Sequence, residues 1–190
     1  MNAPLVIGQP DAVKLTVDMY LQLHRSGALI PYGKTELVNG TIYVVSPQHS
    51  PHYMLKSELF RRLADAAEAT GTGLKAWVEG SIDMGPLGCP MPDIFVTRGM
   101  PKERLTEREI VALVIEIAST TLDFDLGEKA ALYAAAGVPE YWVIDLAGAK
   151  RHRMWSPGPN GYAERDEVWL DARLESVTLP GLGVEIGDLA

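Results

Sequence analysis

Two short apolar runs, Asp93 to Thr97 and Val111 to Ile117, each carry a carboxylate at an end. This pairing limits what the chain can fold into more than any other feature. Neither Asp93 nor Glu116 belongs in a β-strand on propensity grounds, so an acid in such a place has a reason to be there. The interval between them holds two strands of about six residues and a connection. If the strands are neighbours in one sheet, the two carboxylates meet at one edge. There they suit a hard divalent cation such as Mg²⁺, which takes oxygen ligands and keeps several waters. The bland alternative is a fixed ion-pair cluster at a sheet edge, and the residues by themselves favour it.

The next element carries Lys129. Residues 126–136 are rich in Ala, Leu, Glu and Lys, strong helix formers, with Asp123 or Asp125 as cap and Gly137-Val138-Pro139 as a stop. Lys129 then falls in the first turn, directly after the strand that bears Glu116. A helix dipole disfavours a cation there. Either the lysine points to solvent, or a negative site compensates it.

Upstream, residues 1–15 read as a loose lead-in. Thr16 caps a short helix to about Arg25, ended by Gly27 and expected to pack over the sheet. Thr35 to Ser46 is a hairpin around Asn39-Gly40, because both turn positions need φ > 0. It puts Glu36 on its first strand, facing opposite to Leu37, as a solvent-facing acid or a site member. Ser50-Pro51 opens a helix that runs to Gly71, with the cap followed by proline. Met54, Leu55, Leu59, Phe60, Leu63, Ala66 and Ala67 give it an apolar face, and Lys56, Arg61, Arg62 and Glu68 read as its solvated face, with phosphate contact the minority reading. His49 and His52 flank its start, where a histidine more often bonds the local backbone than serves a site.

Leu74 to Met84 reads as two short strands around Gly80, with Glu79 at the surface or lining the cavity. Arg98 to Glu109 is charged connector. Glu140 to Leu146 is a buried strand with Trp142, and Tyr133 and Tyr141 read as core or rim aromatics. From His152 the tail reads as a β-meander, an extra sheet that packs over the core or pairs subunits.

The chain of 190 residues suits one domain, 1–190, and its 47% hydrophobic and 22% charged content is that of a globular protein. No apolar run approaches the ~20 residues that span a bilayer, and no secretory start is visible. The single cysteine, Cys89, allows no intramolecular disulfide and no cysteine zinc site. Cytoplasm is therefore the expected compartment. The net charge of −8 runs against the basic footprint of nucleic-acid binders, although Lys56, Arg61, Arg62 and Lys150, Arg151, Arg153 cluster locally.

The motifs together resemble a known family. Pro92-Asp93, Glu116 in an apolar strand, a serine, a short Asp-containing turn and then GEKAALYAAAGVPEYWVID are similar to the Uma2 family of endonucleases in the PD-(D/E)XK superfamily. The likeness extends to TVDMYLQL, to TELVNGTIYVVSPQHSPHYMLKSELFRRL and to LPGLGVEI, so it covers nearly the whole chain. It implies an α/β (α+β) restriction endonuclease-like core, a mixed central sheet flanked by helices, with the β-meander added. Asp93 and Glu116 match the metal-binding acids, Glu36 an upstream acid of the site, and His52 a family histidine. The superfamily's lysine two residues after the acid is replaced here by Ala118, and Lys129 matches the migrated lysine. The family's serine-proline-serine-threonine is here Ser119-Thr120-Thr121, one residue shorter and without the proline.

The resemblance implies metal-dependent hydrolysis of nucleic acid, DNA first. Asp93, Glu116, Glu36 and the Ile117 carbonyl would hold Mg²⁺ or Mn²⁺, and Lys129 would position water or stabilise charge. The alternative, from another class, is a catalytically silent nuclease-like protein that binds a protein or nucleic-acid partner. A serine hydrolase built on Ser119 lacks the glycine pattern of a nucleophile elbow.

Overall fold

The protein is seen here as a computed structural model that describes residues 12–45 and 49–186. Most of the expected lead-in, residues 1–11, and Ser46 at the end of the hairpin lie outside the described residues. The last part of the lead-in is not loose: Leu15 N–H donates to the Gly40 carbonyl at 3.0 Å.

Helix α1 (Val17–Arg25) starts at Thr16, whose side chain accepts from Met19 N–H. Strands β1 (Thr35–Val38) and β2 (Thr41–Val44) form the expected hairpin, and Asn39 and Gly40 take φ of 50° and 74° as the turn requires. α1 packs on this hairpin through Val17, Tyr20, Leu37 and Cys89 rather than over the central sheet. The Tyr20 hydroxyl donates to the Thr35 carbonyl. Helix α2 (Ser50–Ala69) begins one residue earlier than the sequence suggests, with His49 in the cap position.

β3 (Leu74–Val78), the short β4 (Ile82–Asp83), β5 (Ile94–Arg98), the short β6 (Thr106–Glu107) and β7 (Val111–Ala118) follow. A helical segment made of α3 (Leu122–Phe124), a π-helical turn (Asp125–Lys129) and α4 (Ala130–Ala135) leads to β8 (Glu140–Asp145). β9 (Lys150–Gly158) and β10 (Gly161–Trp169) come next, then β11 (Leu174–Glu175) and β12 (Gly183–Val184).

The central sheet is six-stranded, in the order β10-β9-β8-β7-β5-β3. β7 and β8 run parallel while their neighbours pair antiparallel, so the sheet is mixed, as expected. The long strands of the tail continue this sheet instead of forming an extra one, and only β11 and β12 pair separately. β9 can add to β8 because a tight connection returns it antiparallel, with Asp145 opposite Lys150.

Both faces of the sheet are covered, so its middle strands read as continuous apolar runs. On one face Ile94, Val96, Leu113, Ile115, Trp142 and Ile144 meet Leu55, Leu59 and Leu63 of α2 and the chain from Leu170 to Ile186. On the other, Phe95, Val114, Tyr141 and Val143 meet Leu132, Tyr133 and Val38. The alternation of residues between the two faces is the period-2 pattern of a strand.

Candidate active site

The antiparallel register of β5 and β7, with Ile94 opposite Ile115, brings Asp93 and Glu116 side by side at one end of the pair. Each acid is held by the other strand's backbone. Asp93 N–H donates to Glu116 Oε2 at 3.3 Å, and Ile117 N–H donates to Asp93 Oδ2 at 2.9 Å. Glu36 arrives from β1, where its Oε2 accepts from Met91 N–H at 3.2 Å. It is buried, which removes the reading of a solvent-facing strand acid.

Lys129 reaches these acids because the crossover from β7 to the parallel β8 must leave from the end of β7 that carries Glu116. Its Nζ lies 3.0 Å from Glu36 Oε1 and 3.0 Å from Glu116 Oε1. At 6% exposure it does not point to solvent; the negative site compensates it. Nor is it in a first turn, since the helical segment starts at Leu122. Asp123 and Asp125 are therefore inside the helix rather than caps. Around Asp125–Lys129 the segment widens into a π turn, a local irregularity often found at functional sites. Ala130 N–H donates to the Asp125 carbonyl, which also accepts from the Tyr141 hydroxyl at 3.0 Å. That second donor competes for a carbonyl of the helical ladder.

Two further groups complete this side. Asp125 is buried, its Oδ1 is 4.0 Å from Lys129 Nζ, and Thr121 Oγ1 donates to its Oδ2 at 2.6 Å. The Tyr133 hydroxyl donates to Glu116 Oε1 at 2.9 Å. Asp125, Lys129 and Tyr133 recur every four residues, the spacing of one helical face. That spacing is the signal that marks Asp125 and Tyr133 as site residues, and neither was expected from the sequence.

The Asp93 side is built by α2. His52 Nε2 lies 3.1 Å from Asp93 Oδ2, and Lys56 Nζ lies 3.5 Å from Asp93 Oδ1. Lys56 is thus buried against the site and not part of a solvated face. It also pairs with Glu79 Oε1, whose other oxygen pairs with Lys34. Glu79 is half-buried at the rim. Arg61 and Arg62 remain on the outer side of α2, bonded to Glu58.

The site holds four buried carboxylates, Glu36, Asp93, Glu116 and Asp125, against two buried ammoniums, Lys56 and Lys129. Burial pushes Glu116 up to about 8, aided by Asp125, Asp93 and Glu36 and opposed by Lys129. Burial likewise raises Asp125 to about 6. For Asp93 burial is outweighed by His52, the Ile117 amide and Lys56, which hold it below the usual range. Burial works against the charge of Lys129, but Glu116, Glu36 and Asp125 keep it well above its ordinary value.

An excess of buried carboxylate oxygens is the donor chemistry that a hard divalent cation takes, and in that sense the residues fit one. Among the described residues, no three His, Cys, Asp or Glu side chains are arranged to hold a metal as they stand. The ammonium of Lys129 stands between Glu36 and Glu116, while Asp93 faces His52 and Lys56. A cation on Asp93 and Glu116 would need only those two carboxylates, with waters for the rest. Among the described residues no helix is long and apolar enough to cross a membrane.

Comparison with known proteins gives a family and a similar fold. A family model, Uma2, described as "Putative restriction endonuclease", matches residues 17–187. The fold is similar to the crystal structure of "a putative nuclease belonging to DUF820" from Anabaena variabilis ATCC 29413. That likeness has a TM-score of 0.70 at 18% identity and covers 92% of this chain and 97% of the other. No curated protein matches the chain.

Proposed function

The chain belongs to the Uma2 family, and from that premise we propose that the cluster of Glu36, Asp93, Glu116 and Lys129 is the active centre of a divalent-metal-dependent nuclease. It would hydrolyse phosphodiester bonds of nucleic acid, DNA first. The observation that carries this reading is the meeting of Lys129 Nζ with Glu36 and Glu116 at 3.0 Å each, beside Asp93. The matched family and the similar solved structure both carry nuclease descriptions, which supports the reaction class.

Asp93 and Glu116 would hold Mg²⁺ or Mn²⁺, with Glu36 and the Ile117 carbonyl completing the set. The ion would supply charge to polarise a scissile phosphate and a bound water of lowered pKa. The chain's own residues do the rest. Lys129, held protonated by three acids, presents an ammonium to the growing charge on the phosphoryl oxygens. Tyr133 fixes the Glu116 carboxylate and the Ile117 amide fixes that of Asp93, so neither acid has to reorganise during the reaction.

The net charge of −8 favours one other reading, a silent nuclease-like protein that binds a partner without turnover. Digestion of mixed DNA and RNA with Mn²⁺ or Mg²⁺ separates the two. The proposal expects wild type to cleave and both Asp93→Ala and Lys129→Ala to lose cleavage. Equal cleavage by all three would mark a contaminant, and cation binding with no turnover on any substrate would favour the silent reading.

A further inference from the structure

We infer that Lys56 is a second ammonium of the site, placed to engage a non-bridging phosphate oxygen beside Asp93, and that Glu79 is the residue that positions it. This rests on the nuclease reading above. Lys56 follows His52 by one helical turn, so both leave α2 on the face that meets Asp93. A lysine is seldom buried unless paired. Lys56 is buried, with Nζ 3.5 Å from Asp93 Oδ1 and in contact with Glu79 Oε1.

Glu79 is built for this contact. It sits just past β3 with φ of 51°, a left-handed conformation that costs a residue with a side chain and tends to mark a functional constraint. Its backbone N–H donates to the Asp93 carbonyl at 3.3 Å, so the same residue grips the acid's main chain and the lysine's amine. Lys34 holds its second oxygen, and the two lysines keep the carboxyl ionised, down to about 2. A surface ion pair contributes little to stability and needs no strained backbone. Glu79 is half-buried while Lys56 is buried, so their contact lies where the pocket meets solvent.

The arrangement puts one ammonium on each side of the acid pair. Lys129 attends Glu116 and Glu36, and Lys56 attends Asp93. Charge that spreads over several phosphoryl oxygens in the transition state can be met from two directions.

Steady-state kinetics with Mn²⁺, on whichever labelled DNA or RNA the wild type cleaves, test this alongside thermal melting of each variant. Lys56→Met should lower kcat by about 100-fold with KM little changed. Glu79→Gly should lower kcat by about tenfold while melting no lower than wild type, because glycine relieves the left-handed backbone. Wild-type cleavage with an unchanged Lys56→Met variant would overturn this inference alone. A loss in Glu79→Gly only in step with lost melting temperature would overturn the positioning role. A wild type that cleaves nothing would overturn the nuclease reading and this inference with it.

Discussion

Asp93 and Glu116 are locked to each other through crossed backbone bonds: the amide of Asp93 serves the carboxylate of Glu116, and the amide after Glu116 serves the carboxylate of Asp93. The two acids are therefore fixed by the β5–β7 register rather than by side-chain packing alone. A one-residue slip would send every side chain of the strand to the opposite face, separate the acids and break the core on both sides of the sheet.

The shifted Glu116 has a consequence for pH. Its folded pKa of about 8 lies above its ordinary value of 4.5, so the folded state holds a proton that the unfolded state has released. Its contribution to stability is then lost as pH rises from about 4.5 to about 8, and it levels off above that. Asp125, raised to about 6, acts in the same direction at lower pH. Asp93 is lowered, so its contribution is present above its unfolded pKa and disappears in acid. Without added divalent ions, melting curves should show falling stability between pH 5 and 8, on the order of the shift itself. Glu116→Gln should melt higher than wild type at pH 8 and show a flatter profile.

Lys129→Met would leave the buried Glu36 without the cation that stands 3.0 Å from its Oε1. Removing one partner of a buried ion pair costs about 3–5 kcal/mol, so this variant should be strongly destabilised at neutral pH. If the proposed site takes a divalent cation in the folded state alone, that cation should recover part of the loss. Denaturant titration with and without Mg²⁺ checks both statements.

Much of this was legible in the sequence, for identifiable reasons. The Asn39-Gly40 turn, the Thr16 cap and the apolar strands follow from local rules, and the order of strand, helix and strand after Glu116 brings Lys129 to the acids. What stayed hidden depends on tertiary contact. Lys56 looks like any charge on a helix until the face it shares with Leu59 and Leu63 is seen to cover the sheet. Asp125 resembles a cap until Leu122 is seen to open the helical segment four residues earlier than its composition suggests. The tail's strands carried no sign of which sheet they would join, since pairing along β8 is a choice between edges.

Glu140 offers a test away from the site. It is fully buried on β8 and accepts from Trp142 Nε1, Ser176 Oγ, Thr178 Oγ1 and the amides of Val177 and Thr178. This ties the 176–178 loop to the sheet. Glu140→Ala would strand those donors at about 1–3 kcal/mol for each one left unsatisfied. Thermal melting should drop clearly, while the divalent-ion response of the surviving folded protein stays unchanged.

The central claim is that Asp93 and Glu116 together grip a doubly charged ion, and calorimetric titration of Mn²⁺ addresses it most directly. Wild type is expected to bind one ion per chain, with binding lost in Asp93→Asn and in Glu116→Gln although both variants stay folded. An equal affinity in wild type and both variants, or no binding to wild type, would contradict it.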